Sequence, residues 1–184
     1  MVSPLCTEQL LARGSVAFRA FSTVRAGGAV CPWGGLGYYE VEVLQAGSCT
    51  QFGFCSLEWP GGHSWSGVGD DGLSWGVDGG SGVKWHERQS SPFGGPWRAG
   101  DVVGLACDLR AGRMLASLNG DFAPPHGAAF DLPPAGLERG LCPALTAWTG
   151  LFRCNLGGGP GGRPFRHAPP SAEYRAMAAA GDAA

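Results

Sequence analysis

The segment Gly67-Val68-Gly69-Asp70-Asp71-Gly72-Leu73-Ser74-Trp75-Gly76-Val77-Asp78-Gly79, continuing to Val83-Lys84-Trp85, restricts the architecture more than any other stretch of the chain. Gly-Asp-Asp-Gly and Asp-Gly-Gly are turn sequences: glycine takes positive φ without penalty, and aspartate caps neighbouring amides. Between them Trp75 and Val77 alternate with Ser74, Gly76 and Asp78, the two-residue period of a strand. The segment therefore predicts a turn, a short strand, a second turn and a second short strand. A tryptophan on each arm, Trp75 and Trp85, supplies large apolar area for a sandwich core. Gly67-x-Gly69-x-x-Gly72 matches the dinucleotide fingerprint in letters only. That fingerprint needs an apolar strand before it and a helix after it, and neither is present, so no cofactor is expected.

The same rhythm runs through the chain. Phe21 to Arg25 reads as a strand, and Gly37 to Leu44 as a stronger one, with Tyr39, Val41 and Val43 on one face and Glu40 and Glu42 on a solvated other face. Thr50 to Cys55 comes next, across Ala46-Gly47-Ser48, at hairpin spacing. Glu58–Gly67 and Glu87–Pro96 read as long loops. Val102–Leu109 and Arg113–Leu118 form a hairpin, and Asn119-Gly120 signals a type I′ turn. Leu141–Trp148 and Leu151–Leu156 read as a last pair of strands joined tightly at Thr149-Gly150. Ten or more short strands, with turns about every 8–12 residues, predict an all-β antiparallel two-sheet sandwich. Glu8–Ala12 and Ser171–Ala180 are expected to be short helical pieces, the latter with Ser171 as N-cap. The Gly/Pro-rich run Gly157–Pro170 is expected to form no packed layer. The expected organisation is a flank at 1–14, one sandwich domain at 15–157 and a tail at 158–184.

Composition narrows the function. At 184 residues, 15% charged and net −2, the chain has no basic footprint for nucleic acid or an anionic membrane. No apolar window of about 18 residues and no leader pattern occur, so a cytoplasmic, monomeric protein is expected. The seven cysteines lack C-x-x-C spacing and mostly sit in apolar runs, as reduced buried thiols do. The four histidines are not spaced as ligands, so no metal is expected.

The ordered motifs Gly37-Tyr38-Tyr39-Glu40-Val41, Phe52-Gly53-Phe54-Cys55, Ser74-Trp75-Gly76-Val77-Asp78-Gly79, Trp97-Arg98-Ala99-Gly100-Asp101-Val102-Val103-Gly104, Leu118-Asn119-Gly120 and Asn155-Leu156-Gly157 resemble a SPRY domain across about residues 15–157. The resemblance implies a bent β-sandwich of concanavalin-like jelly-roll topology that binds proteins or peptides with its loops. Within the family, the chain is most similar to the SPRY domains of KPC-type RING ubiquitin ligases and of ryanodine receptors. Phe21–Ala26 and Gly162-Arg163-Pro164-Phe165-Arg166 carry the first likeness. No RING, SOCS box or channel segment occurs in these residues, so the expected role is non-catalytic recruitment, in a ligase context. By similarity to SOCS-box relatives, Trp148, Thr149 and Gly150 form one contact loop, and Ser64 and Trp65 another.

Exposed loop tryptophans suit binding hot spots, so Trp148, Thr149, Gly150, Trp65, Ser64, Trp59 and Trp33 are the candidate partner-binding residues. Loops 56–68, 87–97 and 147–150 should present them. Trp75, Trp85 and Trp97 are expected in or beside the core. Asp70 and Asp71 are expected to cap turns; a Ca²⁺ loop needs more spaced acids. His63-Ser64 lacks a nucleophile elbow, and cysteines in apolar strands are poor nucleophiles. Lectin-like binding of a small ligand or sugar is the alternative reading.

Overall fold

A computed structural model describes residues 15–26, 28–61, 65–158 and 163–177. The expected helical turn at Glu8–Ala12 lies outside them. The described residues form thirteen strands and no helix: β1 (Val16–Phe18), β2 (Ser22–Arg25), β3 (Leu36–Gln45), β4 (Gln51–Ser56), β5 (Ser74–Asp78), β6 (Val83–His86), β7 (Gln89–Pro92), β8 (Val102–Asp108), β9 (Arg113–Leu118), β10 (Gly127–Asp131), β11 (Leu141–Ala147), β12 (Gly150–Asn155) and β13 (Arg175–Ala176). One sheet runs β1-β12-β3-β8-β9-β10, with β13 also on β3, and the other runs β2-β11-β4-β5-β6-β7. Every pairing is antiparallel except β13 on β3. The all-β sandwich expected from the turn spacing is the fold.

Alternation builds the core between the sheets. Tyr39, Val41 and Val43 of β3 face Phe52 and Phe54 of β4, with Trp75, Leu105, Leu145 and Phe152 closing the layer. The Tyr39 ring meets Phe54 edge-on at 5.2 Å, and Phe52 meets Phe152 at 4.9 Å. The Tyr39 hydroxyl donates to the Gly53 carbonyl at 2.5 Å, satisfying the one polar atom that this side chain buries.

Strands β4 and β11 are buried on both faces. The reason is the covering segment, residues 57–61 and 65–73, which lies over the outer face of their sheet. It makes a second apolar cluster of Trp59 and Val68 on Cys55, Cys142 and Ala144. Its polar ties are Arg25 Nη1 to the Trp59 carbonyl at 2.8 Å and the Val68 amide to Thr146 Oγ1 at 2.9 Å.

Five expectations need correction. The segments 46–50 and 148–149 are not hairpin turns. They carry β3 to β4 and β11 to β12, and each of these pairs divides between the two sheets. Residues 87–96 are not all loop: β7 pairs with β6 through a turn whose residues, Glu87 and Arg88, hold φ of 51° and 61°. Ser171 caps a turn, accepting from the Glu173 amide, and the chain then extends into β13 rather than a helix; residues 178–180 lie outside the described residues. Finally, Glu40 and Glu42 do not form a solvated face, because residues 163–177 cover it, and Glu40 is 2% exposed. The Gly157–Pro170 run, expected to form no packed layer, is corrected with them: Phe165, Arg166 and His167 within it pack on this face.

Candidate functional site

Three chain crossings between the sheets meet at one end of the sandwich. Residues 19–21 link β1 to β2, 46–50 link β3 to β4, and 148–149 link β11 to β12. The last two brace each other. The Trp148 amide donates to the Ser48 carbonyl at 2.9 Å, the Ser48 amide donates to Thr149 Oγ1 at 3.3 Å, and the two hydroxyls lie 3.2 Å apart. Gly47 permits this approach, since a Cβ there would overlap the Thr149 carbonyl. Gly150, at φ 128°, lets the chain turn away into the other sheet.

In the β2–β11 register Ser22 stands opposite Ala147, so the next residues outward are Phe21 and Trp148. Their rings meet edge-on at 6.2 Å. Trp65 reaches the same place from the covering segment, 5.1 Å from Trp148 and 6.1 Å from Phe21. Trp65 and Trp148 are 70% and 40% exposed. Trp65 also holds φ 69°, a left-handed conformation that costs a non-glycine residue about 1 kcal/mol or more. Below it the Gly67 amide donates to Asp70 Oδ2 at 2.7 Å, and Gly69 leaves room for Trp85. The segment is thus pinned close to the strained residue.

The seven sequence candidates divide accordingly. Trp65, Trp148, Thr149 and Gly150 come together. Ser64 lies outside the described residues. Trp33 is 50% exposed but sits at the opposite end, where Cys31 bridges to Leu141; β11 separates it from Trp148 by roughly 20 Å. Trp59 is corrected from a contact to an anchor: it is 2% exposed, and its Nε1 donates to Asp71 Oδ2 at 2.5 Å. Phe21 joins the patch without having been a candidate. Its signal is present in the sequence, since alternation puts it on the same face as Thr23 and Arg25, where an aromatic ring has no core to enter.

The remaining chemistry near the covering segment is internal. Asp71 Oδ1 accepts from the Leu73 amide at 2.8 Å and the Ser74 hydroxyl at 3.0 Å, while the Gly69 amide donates to Ser74 Oγ at 2.8 Å. The amides of the glycine motif and the paired aspartates therefore satisfy each other. Burial pushes the thiols of Cys107 and Cys154 up, the latter to about 12, and the contact with Cys142 together with burial pushes up Cys55. A thiol held neutral is a poor nucleophile. Among the described residues no three His, Cys, Asp or Glu side chains gather to hold a metal ion, and no helix is long and apolar enough to cross a membrane.

The described residues thus form an all-β sandwich with an aromatic patch on its inter-sheet crossings. The chain belongs to the SPRY family: the model of the SPRY domain matches residues 37–159. SPRY domains are protein-interaction modules. The chain is also 34% identical, over 148 residues, to the E3 ubiquitin-protein ligase RKP of Arabidopsis thaliana; the match takes in 80% of this chain and 11% of that protein.

Proposed function

We propose that the Phe21–Trp65–Trp148 patch binds an extended peptide segment of a partner protein. The observation that carries this reading is the joint exposure of Trp65 and Trp148 in mutual contact. Isolated apolar residues on a surface are ordinary, but contiguous aromatic patches mark interaction sites. Ring centroids 5.1 to 6.2 Å apart mean that the rings touch and leave no gap for a cation. The patch is a continuous apolar floor suited to an aliphatic or proline-bearing segment, with the Ser48 and Thr149 hydroxyls as its polar rim. Both crossings are braced in advance, so little ordering entropy opposes binding.

The domain acts without catalysis of its own, as a monomer inside the cell. Likeness to a ubiquitin ligase over a small part of that protein's length supports substrate or partner recruitment for ubiquitin transfer performed elsewhere. The test is selection of a displayed peptide library on the wild-type chain, followed by affinity measurement with Trp148→Ala. Truncation of a central aromatic anchor costs about 2 kcal/mol or more, a loss of roughly 30-fold. Selected peptides that bind the variant equally well would remove the site. A glycan signal on an array, with no peptide selected, would favour the lectin-like alternative.

A further inference from the structure

The outer face of β3 is covered by residues that the SPRY model, ending at 159, does not include. The strand before them, β12, ends at Asn155. Between β12 and the covering residues the sequence reads Leu156-Gly-Gly-Gly-Pro-Gly-Gly162, a link with no strand-forming side chains. Residues 163–177 lie on the sheet as a ligand lies on a receptor.

Phe165 packs edge-on over Tyr38 at 4.7 Å. The amides of Arg166 and His167 each donate to the Glu40 carboxylate at 2.8 Å, one to each oxygen. Arg166 Nη1 reaches Glu42 Oε1 at 2.7 Å, while Arg153 holds the other oxygen at 2.7 Å. His167 then lies against Gly120, in the turn after β9. The chain returns along the face, where Arg110 and Glu173 stand 3.9 Å apart and exposed, an arrangement that contributes little. It then forms β13, parallel to Gly37 and Tyr38 on the stretch of β3 that β12 leaves free. Met177 is buried there beside Cys31 and Cys107 at the edge of the inter-sheet core, in the space that the missing side chain of Gly37 provides.

These are the elements of peptide recognition by strand addition: main-chain pairing on a free edge, with side-chain pockets for selectivity. We infer that this face is a second peptide-binding surface, separate from the aromatic patch, and that residues 163–177 are its occupant in cis. The partner that it fits in trans is an extended segment with an aromatic residue followed directly by arginine, and a buried methionine-sized residue further on. The arginine answers the Glu40–Glu42 pair, the aromatic ring answers Tyr38, and the methionine answers the Gly37 pocket. A tethered occupant works at high effective concentration, so a trans segment gains entry only when the strap is released.

The test uses the full chain with a protease recognition sequence placed at 159–162. After cleavage the strap should stay bound through gel filtration. A labelled peptide of residues 163–177 should exchange into the cleaved chain and be excluded from the uncut one. Peptides carrying Phe165→Ala or Arg166→Glu should bind at least about tenfold more weakly. Loss of the strap on dilution with no peptide uptake would overturn the inference. So would unfolding of the sandwich on cleavage, because the strap would then be part of the fold and no ligand.

Discussion

Trp65 combines exposure with a left-handed backbone, two features that the fold does not require of a tryptophan. Its ring stacks on Phe21, leans on Trp148 at a tilt, and is otherwise largely open to water, and φ 69° favours glycine. Trp65→Gly should therefore leave stability within about 1 kcal/mol of wild type, because relief of strain offsets the added freedom of the unfolded chain. Affinity for peptides selected on the wild type should fall at least about tenfold. A denaturation curve beside a binding isotherm checks both; a variant that binds normally would show that Trp65 is conformational filler. Tyr39→Phe is the reverse case, a residue of the fold alone. Losing its hydroxyl from the Gly53 carbonyl should cost about 1–2 kcal/mol with binding unchanged. At this scale the core was legible, since Tyr39, Val41 and Val43 declared their side by alternation. Trp59 and Trp65 were not separable in the sequence. Both lie in one polar, glycine-rich loop, and only the Asp71 carboxylate that receives the Trp59 indole tells anchor from contact.

At the level of elements, the site depends on how strands change sheets. Spacing located the strands on both sides of 46–50 and 148–149, yet a short link reads the same whether its strands pair or part. The deciding contact, Gly47 against Thr149, joins residues far apart in the sequence and carries no local signal. The same limit hid the β6–β7 hairpin, because Glu87 and Arg88 adopt positive φ without the glycine or asparagine that would announce it. By contrast Asn119-Gly120 gave its turn away: Leu118 and Asp121 exchange both backbone hydrogen bonds across it. Gly47→Ala should push the two crossings apart at the Thr149 carbonyl, costing about 2–4 kcal/mol, and should weaken peptide binding by moving Trp148. Gly34→Ala is the matched control at the opposite end. It has positive φ, 74°, but open space around it, so it should cost only about 1 kcal/mol and leave binding intact.

For the whole molecule, the core closed between the two sheets has an electrostatic consequence. The covering segment, residues 57–61 and 65–73, lies on one sheet and the strap 163–177 on the other, while Cys107 and Cys154 lie in the core between the two sheets, out of contact with water. Neither cover was legible as such. Each is an irregular segment whose partners, Thr146 for one and Glu40 for the other, lie far away in sequence. Cys154, on β12, is raised from an ordinary 9.0 to about 12 by desolvation, and burial drives Cys107 upward as well. In the unfolded chain these thiols ionise near their ordinary value, while in the fold they stay protonated. Below about pH 9 both states hold the proton and stability is flat. Above it the unfolded state releases protons that the native state keeps, so stability falls with rising pH, by about 1.4 kcal/mol per unit for each such thiol. The slope persists until the native thiol itself ionises. Urea unfolding in reductant from about pH 8 to about pH 10 should show this decline. Cys154→Ala should start lower, because it leaves a small cavity, and lose stability less steeply. Parallel declines for the two proteins would mean that Cys154 is not held protonated by burial. In that case the core between the sheets would admit water to the thiol.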